Sequence, residues 1–219
     1  MRLRKKPWIA EALTGFTNIV LQNPDEELKG KWAHLFGNQL PLHVELGTGR
    51  GRFITGMGQQ YQDIANFIGI EAQKDVLHDA AIKTREKELT NVRLLVFNVN
   101  DLLTIFAPGE IDRIYINFCD PWPKNRHAKR RLTHVRFLEK YQAVLKSGGQ
   151  LYFKTDNRPL FDFSLEQFHE FGLTVNNITY DLHNSSFTGN VMTEYESRFS
   201  AMGHPICRCE LIFKPSVNK

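Results

Sequence analysis

The sequence predicts an α/β fold: an open, mostly parallel sheet with helices on both faces. Three observations carry that class. Strand-like and helix-like segments alternate five times before a two-strand finish, which is the pattern of a parallel sheet wound by crossover helices. A glycine cluster follows the first strand of the alternation and opens its first helix. Acid or amide residues stand at the ends of successive strands. The 219 residues have the size of one domain, and a chain of that length buries roughly 70% of its unfolded surface.

The elements follow in order. Residues 1–30 stand apart as a basic N-terminal arm, and 31–219 read as a single domain. LHVEL at 42–46 is the first strand and runs into the glycines; 51–61 is a helix. ANFIGIE at 65–71, apolar but for Asn66 and ending in an acid, is a buried strand. Residues 74–88 form a charged amphipathic helix, and VRLLVFN at 92–98 is the third strand, followed by a short helical stretch to Phe106. IDRIYINF at 111–118 is the fourth strand and leads into a proline-rich loop. A helix over 133–146 is expected to stop at Ser147-Gly148-Gly149. QLYFKT at 150–155 is a strand, 159–171 a helix, and LTVNNITYDL (173–182) and ICRCELIF (206–213) are two last strands. Between them, 183–203 reads as a long insertion, and long loops in compact domains are often functional.

Composition narrows the class. Hydrophobic residues make up 42% and charged residues 24%, ordinary for a globular chain and unlike a disordered or fibrous one. No apolar run approaches the ~18 residues of a membrane span, and the basic N-terminus lacks the apolar stretch of a signal peptide, so a cytoplasmic protein is expected. Cys119, Cys207 and Cys209 fit a reducing compartment without disulfides. His204, Cys207 and Cys209 do not complete a metal-ligand spacing, and the two cysteines share one face of a strand, so no metal is expected.

The net charge of +4 is unevenly spread. Arg2, Arg4, Lys5 and Lys6 fall in an acid-free segment, as do Lys124, Arg126, Lys129, Arg130 and Arg131 in KNRHAKRR. These segments hold nine of the 28 bases, leaving 19 against 24 acids elsewhere. An acidic body with two concentrated basic segments points to a polyanionic partner.

The segment Glu45-Leu46-Gly47-Thr48-Gly49-Arg50-Gly51 allows positive φ and close approach of backbone to a ligand. It is not a dinucleotide fingerprint: Arg52 holds the place of the third glycine in G-x-G-x-x-G. Glu45 would repel a pyrophosphate and attract an ammonium or sulfonium. Open α/β sheets bind ligands outside the carboxyl ends of their strands. There, Glu71 suits a pair of ribose hydroxyls and Asn98 an adenine edge, with Asp120 and Asp156 after the next two strands. Together these resemble a class I S-adenosylmethionine-dependent methyltransferase. That resemblance implies a Rossmann-like, seven-stranded sheet with an antiparallel last strand.

Asp120-Pro121-Trp122-Pro123-Lys124 is a stiff, extended loop, because each proline bars helical geometry from the residue before it. KNRHAKRR follows at once. With Arg2 to Trp8 (R-x-R-x-K-P-W), V-E-L-G-T-G-x-G at 44–51, K-T-D at 154–156 and T-x-Y-E at 193–196, the chain resembles the bacterial tRNA (guanine-N7-)-methyltransferases over nearly its whole length. The resemblance implies methylation of a guanine in the tRNA variable loop, with S-adenosylmethionine as donor and S-adenosylhomocysteine as product. By position it implies that Glu45, Gly47, Gly49, Gly51, Glu71, Asn98 and Asp120 hold the cofactor. Lys124, Asp156, Thr193, Glu194, Tyr195 and Glu196 would contact the substrate, and Arg126, His127, Lys129, Arg130 and Arg131 the RNA. The expected partner is tRNA, with no membrane, bound by a monomer or homodimer.

Guanine N7 has a free lone pair, so no general base is required, and Asp120 is expected to stabilise the positive charge that develops on the purine. Asp156 and Glu196 are candidates to accept from guanine N1–H and the 2-amino group. Three alternatives stand beside this reading: a methyltransferase of amino nitrogens, suggested by D-P-W-P; a non-catalytic RNA-binding module on the same fold; and a nicotinamide dehydrogenase, disfavoured by Arg52.

Overall fold

The computed structural model describes residues 8–214. Arg2, Arg4, Lys5 and Lys6 of the basic arm lie outside the described residues. The chain divides into two compact units, residues 1–105 and 106–219. No helix among the described residues is long and apolar enough to cross a membrane.

The first unit holds four parallel strands, β1 (Val20–Leu21), β2 (Leu42–Leu46), β3 (Asn66–Glu71) and β4 (Val92–Val96), in the order β1-β4-β3-β2. Parallel strands need both faces covered, and the apolar residues of β3 are all buried. Two helices follow strands, as the alternation predicts: α3 (Arg52–Gln60), burying Phe53, Ile54 and Met57, and α4 (Lys74–Glu86), burying Leu77, Ala80 and Ala81. Three short helices complete the unit: α1 (Ile9–Ala12), α2 (Trp32–Phe36) and α5 (Leu102–Ile105). Within the segment that the sequence sets apart as an arm, Ile9, Leu13, Phe16 and Val20 are buried. The Arg85 guanidinium of α4 lies 4.5 Å above the Phe16 ring, and β1 is a strand the sequence reading lacked.

The second unit holds β5 (Ile111–Asn117), β6 (Leu145–Thr155), β7 (Thr174–Thr179) and β8 (Cys207–Ile212), in the order β5-β6-β8-β7. β5 and β6 are parallel, and β8 runs antiparallel to both β6 and β7. The antiparallel last strand is therefore as expected, and it lies inside the sheet, with β7 outside it. Burial explains the order: Cys207, Arg208, Cys209 and Leu211 of β8 are buried, whereas β7 is largely exposed. Burial pushes the Cys209 thiol up to about 12.

Three helices belong to this unit: α6 (Val135–Val144), α7 (Arg158–Glu170) and α8 (Glu194–Ser200). The Asn157 side chain caps α7 by accepting from Leu160 N at 2.8 Å. Phe161 and Phe168 of α7 pack on Phe153 of β6 at 5.9 and 6.2 Å between ring centroids. Burying each such ring contributes about 1.5–3 kcal/mol. Two expectations are corrected. α6 ends at Val144, before the glycines, because the buried Leu145 is already paired with Ile111 as the first residue of β6. The 183–203 insertion contains α8.

Candidate active site

In the first unit, β2 ends on the buried Leu46 and the chain turns through Gly47, Gly49 and Gly51, with φ of 82°, 57° and 85°. The Gly47 and Thr48 amides both donate to Ile70 O, at 2.8 and 3.0 Å, which fastens the turn to the end of β3. The glycines do different work. A Cβ at Gly47 or Gly49 would meet no atom within 4 Å, so that face of the turn is open to a ligand. A Cβ at Gly51 would lie 2.4 Å from the Ala80 Cβ, so this glycine lets α3 and α4 pack closely. From outside, Lys83 Nζ donates to Arg50 O at 2.7 Å, and the Arg50 side chain pairs with Asp79.

Three polar side chains named by the sequence stand at this turn or at the strand ends beside it. Glu45 is 1% exposed, and its Oε2 accepts from the Thr48 hydroxyl at 2.6 Å. Glu71 is half-buried at the end of β3; it accepts from Gly49 N at 3.3 Å and from Gln73 N at 2.9 Å. Asn98 is exposed just beyond β4, its Oδ1 accepting from both nitrogens of Asn100 at 2.9 and 2.8 Å. An open glycine face with a carboxylate behind it and another beside it fits a cationic, ribose-bearing ligand such as S-adenosylmethionine.

In the second unit, β5 leads into a strained loop. Phe118 and Trp122 have φ of 53° and 42°, a left-handed geometry costing roughly 1–2 kcal/mol for each non-glycine residue. The surroundings hold it in place. Phe118 N donates to Lys154 O at 2.9 Å. Arg131 Nε and Nη2 donate to the carbonyls of Pro121 and Trp122, each at 3.0 Å. Between Phe118 and Trp122, Asp120 is exposed, while the Cys119 thiol is pushed up to about 12, first by burial and then by Asp120. It is no nucleophile at neutral pH.

KNRHAKRR forms a 3-10 turn over Asn125–Arg130. Lys124, Arg126, Lys129 and Arg130 are exposed and His127 is half-buried. The Arg130 guanidinium lies 4.9 Å above the Trp122 ring, and His127 meets the same ring edge-on at 5.8 Å. Arg131 departs from its neighbours: it is 9% exposed, with its guanidinium turned onto the loop carbonyls and stacked 4.2 Å above Phe163.

The K-T-D and T-x-Y-E segments meet through a buried ion pair. Lys154 Nζ donates to Glu196 Oε2 at 2.7 Å, and also to Asn190 Oδ1 and Val191 O, both at 3.0 Å. Asn190 Nδ2 donates to Glu196 Oε1 at 2.6 Å, with His183 Nε2 3.2 Å from that oxygen. Glu196 is 0% exposed, so its carboxylate is committed to holding the insertion on β6. Thr193 caps α8 by accepting from Glu196 N at 2.9 Å, and Glu194 is half-buried.

Tyr195 is exposed and donates to Asp156 Oδ2 at 3.0 Å. Partial burial and the Asp156 carboxylate push its phenol up to about 12. Its ring stacks on Phe199 at 4.1 Å and lies 5.1 Å from Phe118. Sequence reasoning gave no role to Lys154, Asn190, His183, Phe118 or Phe163. For α8 a signal was present, because T-x-x-E is a capping-box pattern.

A family model described as "Putative methyltransferase" matches residues 39–209. The chain is 52% identical to a tRNA (guanine-N(7)-)-methyltransferase of Geobacillus sp. (strain WCH70), over 100% of this chain and 99% of that one. It is 51% identical to the enzyme of the same name from Bacillus subtilis (strain 168), over 96% and 98%. Among solved structures it is similar to "an Antibiotic Related Methyltransferase" (TM-score 0.63, 17% identity, 88% of this chain and 95% of that one). The 16S rRNA methyltransferase KamB is similar too (TM-score 0.63, 13% identity, 87% and 92%). These likenesses show the class I methyltransferase fold.

Proposed function

The chain belongs to the bacterial tRNA (guanine-N7-)-methyltransferase family, and on that premise we propose which of its residues perform methyl transfer from S-adenosylmethionine to N7 of a tRNA guanine. The observation that carries the reading is the open face of the glycine turn, with Glu71 bonded to Gly49 and Glu45 beneath it. Membership in this family argues against the dehydrogenase, amino-nitrogen and non-catalytic readings.

When bound, S-adenosylmethionine supplies a methyl carbon made electrophilic by its sulfonium, leaving S-adenosylhomocysteine. Gly47 and Gly49 would let backbone approach the ligand, Glu71 would accept from its ribose hydroxyls, and Glu45 would supply negative charge for its cationic end. Asn98 serves the adenine edge. The target is the variable-loop guanine. Its N7 lone pair is already available, so the protein orients the base and stabilises charge without removing a proton. The exposed Asp120 carboxylate lowers the energy of the cationic purine as the bond forms.

Asp156 reads the base. Tyr195 engages Oδ2, and Oδ1 accepts from guanine N1–H and the 2-amino group, which adenine does not match. Glu196 positions α8 and Thr193 caps it, so that Glu194 and Tyr195 face the substrate. Lys124, Arg126, His127, Lys129 and Arg130 carry the RNA, with Trp122 a surface on which a base can stack. A tRNA substrate supports a cytoplasmic activity.

The test is transfer of labelled methyl to tRNA transcripts carrying guanine or adenine at the variable-loop position. Label is expected with guanine alone, and equal labelling would reject the target. Asp120→Ala is expected to lower turnover by about 100- to 1,000-fold, the range for removing a group that stabilises transition-state charge. Near-normal turnover with intact cofactor affinity would remove Asp120 from the chemistry.

A further inference from the structure

We propose that Arg131 is a positioning residue: it holds the Asp120–Trp122 loop in its left-handed turn and makes no contact with RNA, although it belongs by sequence to the basic run. The proposal rests on the reading that this loop serves the reaction.

Three observations converge. Trp122 is a bulky residue at φ 42°, a geometry that persists only where surroundings over-determine it. The Arg131 guanidinium forks onto the carbonyls of Pro121 and Trp122, on either side of the strained Trp122 Cα. The guanidinium is also covered, 4.2 Å above the Phe163 ring of α7, which stacks with the His134 ring at 6.4 Å. At 9% exposure little of the guanidinium is left for a phosphate to reach.

The clamp extends to the next residue. A backbone group of Leu132 bonds the half-buried Cys119 thiol, and Tyr141 donates to Leu132 O at 3.0 Å. Residues 131–132 therefore fasten 119–122 to α6 and α7. What the loop needs from Arg131 is a planar two-pronged donor, which lysine does not supply at equal charge.

The experiment compares Arg131→Ala, Arg131→Lys and Lys129→Ala. For both Arg131 variants, kcat is expected to fall about 100-fold, the loss a misplaced reacting group produces. The KM for tRNA and the dependence of tRNA affinity on salt should keep parental values. Lys129→Ala should instead raise the KM for tRNA and lower the salt slope. Parental kcat in Arg131→Lys, or a salt slope in Arg131→Ala reduced as much as in Lys129→Ala, would overturn the proposal.

A second readout does not depend on activity. Labelling the three tryptophans with 5-fluorotryptophan should show the Trp122 fluorine resonance shifted in both Arg131 variants and unmoved in Lys129→Ala, with Trp8 and Trp32 unchanged. An unmoved Trp122 resonance also overturns the clamp. If Trp8 or Trp32 moves too, Phe163→Leu, which uncovers the guanidinium without removing it, must shift Trp122 alone for the clamp to stand. If the parental protein fails to methylate tRNA, the functional reading falls, and the fluorine spectra still decide the clamp.

Discussion

Replacing Lys154 by Met tests the buried network most directly. The pair is separated by 2.7 Å, with side chains 5% and 0% exposed. Removing the lysine leaves Glu196 with Asn190 and His183 as side-chain neighbours and no lysine cation. Breaking a buried pair on one side costs about 3–5 kcal/mol, mostly the penalty of the stranded charge. For a chain of this size 1 kcal/mol moves Tm by about 2–4 °C, so the expected fall is about 6–20 °C.

The measurement is urea unfolding, with hydrogen exchange over residues 183–200. It should be made in a His183→Gln background, so that an imidazolium cannot replace the lost cation. If α8 escapes the penalty by detaching, exchange rises there first and the global loss lies at the low end. The variant Lys154→Met/Glu196→Leu buries no charge and should be more stable than Lys154→Met alone. A single-variant loss below about 1 kcal/mol, or a double variant losing the sum of the two singles, would refute the reasoning.

Other outcomes follow from the same geometry. Gly51→Ala forces a Cβ to 2.4 Å from Ala80 at φ 85° and should cost about 2–5 kcal/mol in thermal unfolding. Gly49→Ala meets open space, so it should cost about 1–2 kcal/mol while calorimetry shows S-adenosylmethionine binding lost. Lys129→Ala and Arg130→Ala should each lower the slope of log tRNA affinity against log salt by about 0.7–0.9, one phosphate contact apiece; unchanged slopes would remove the run from the RNA surface.

His134 caps α6 with an unprotonated Nδ1 that accepts from Arg136 N at 3.2 Å. Burial, then Arg136, Lys129 and Arg131, lower its pKa against the weaker opposing effect of Glu139. With the folded value below the unfolded one, its contribution is complete above about pH 6.5 and is lost as pH falls below that. His134→Asn, which keeps a cap, should flatten that part of the stability profile; an unaltered profile would rule the effect out.

The alternation, the glycine turn and the motifs were legible without coordinates because each is local. Period, turn chemistry and strand-end position are properties of neighbouring residues. Thus β2, β3, α3, α4 and α7 fall within one or two residues of the sequence reading. The misreadings are long-range. Ser147-Gly148-Gly149 carries the local chemistry of a helix stop, yet Leu145 is claimed by Ile111, 34 positions earlier. Val20–Leu21 is too short to show a period and exists through its pairing with Leu94 and Leu95.

The sequence by itself determined the fold class and the family, since motif spacing and hydrophobic pattern survive in one dimension. It did not determine the direction in which a charge points. Arg130 and Arg131 are adjacent and chemically identical, but one is exposed over an indole and the other is folded under a loop. Tyr195 and Glu196 divide in the same way, one exposed and one fully buried. Only the tertiary structure decided these, because a buried ion must find its partners outside its own segment, here Lys154 for Glu196, and two loop carbonyls with the Phe163 ring for Arg131.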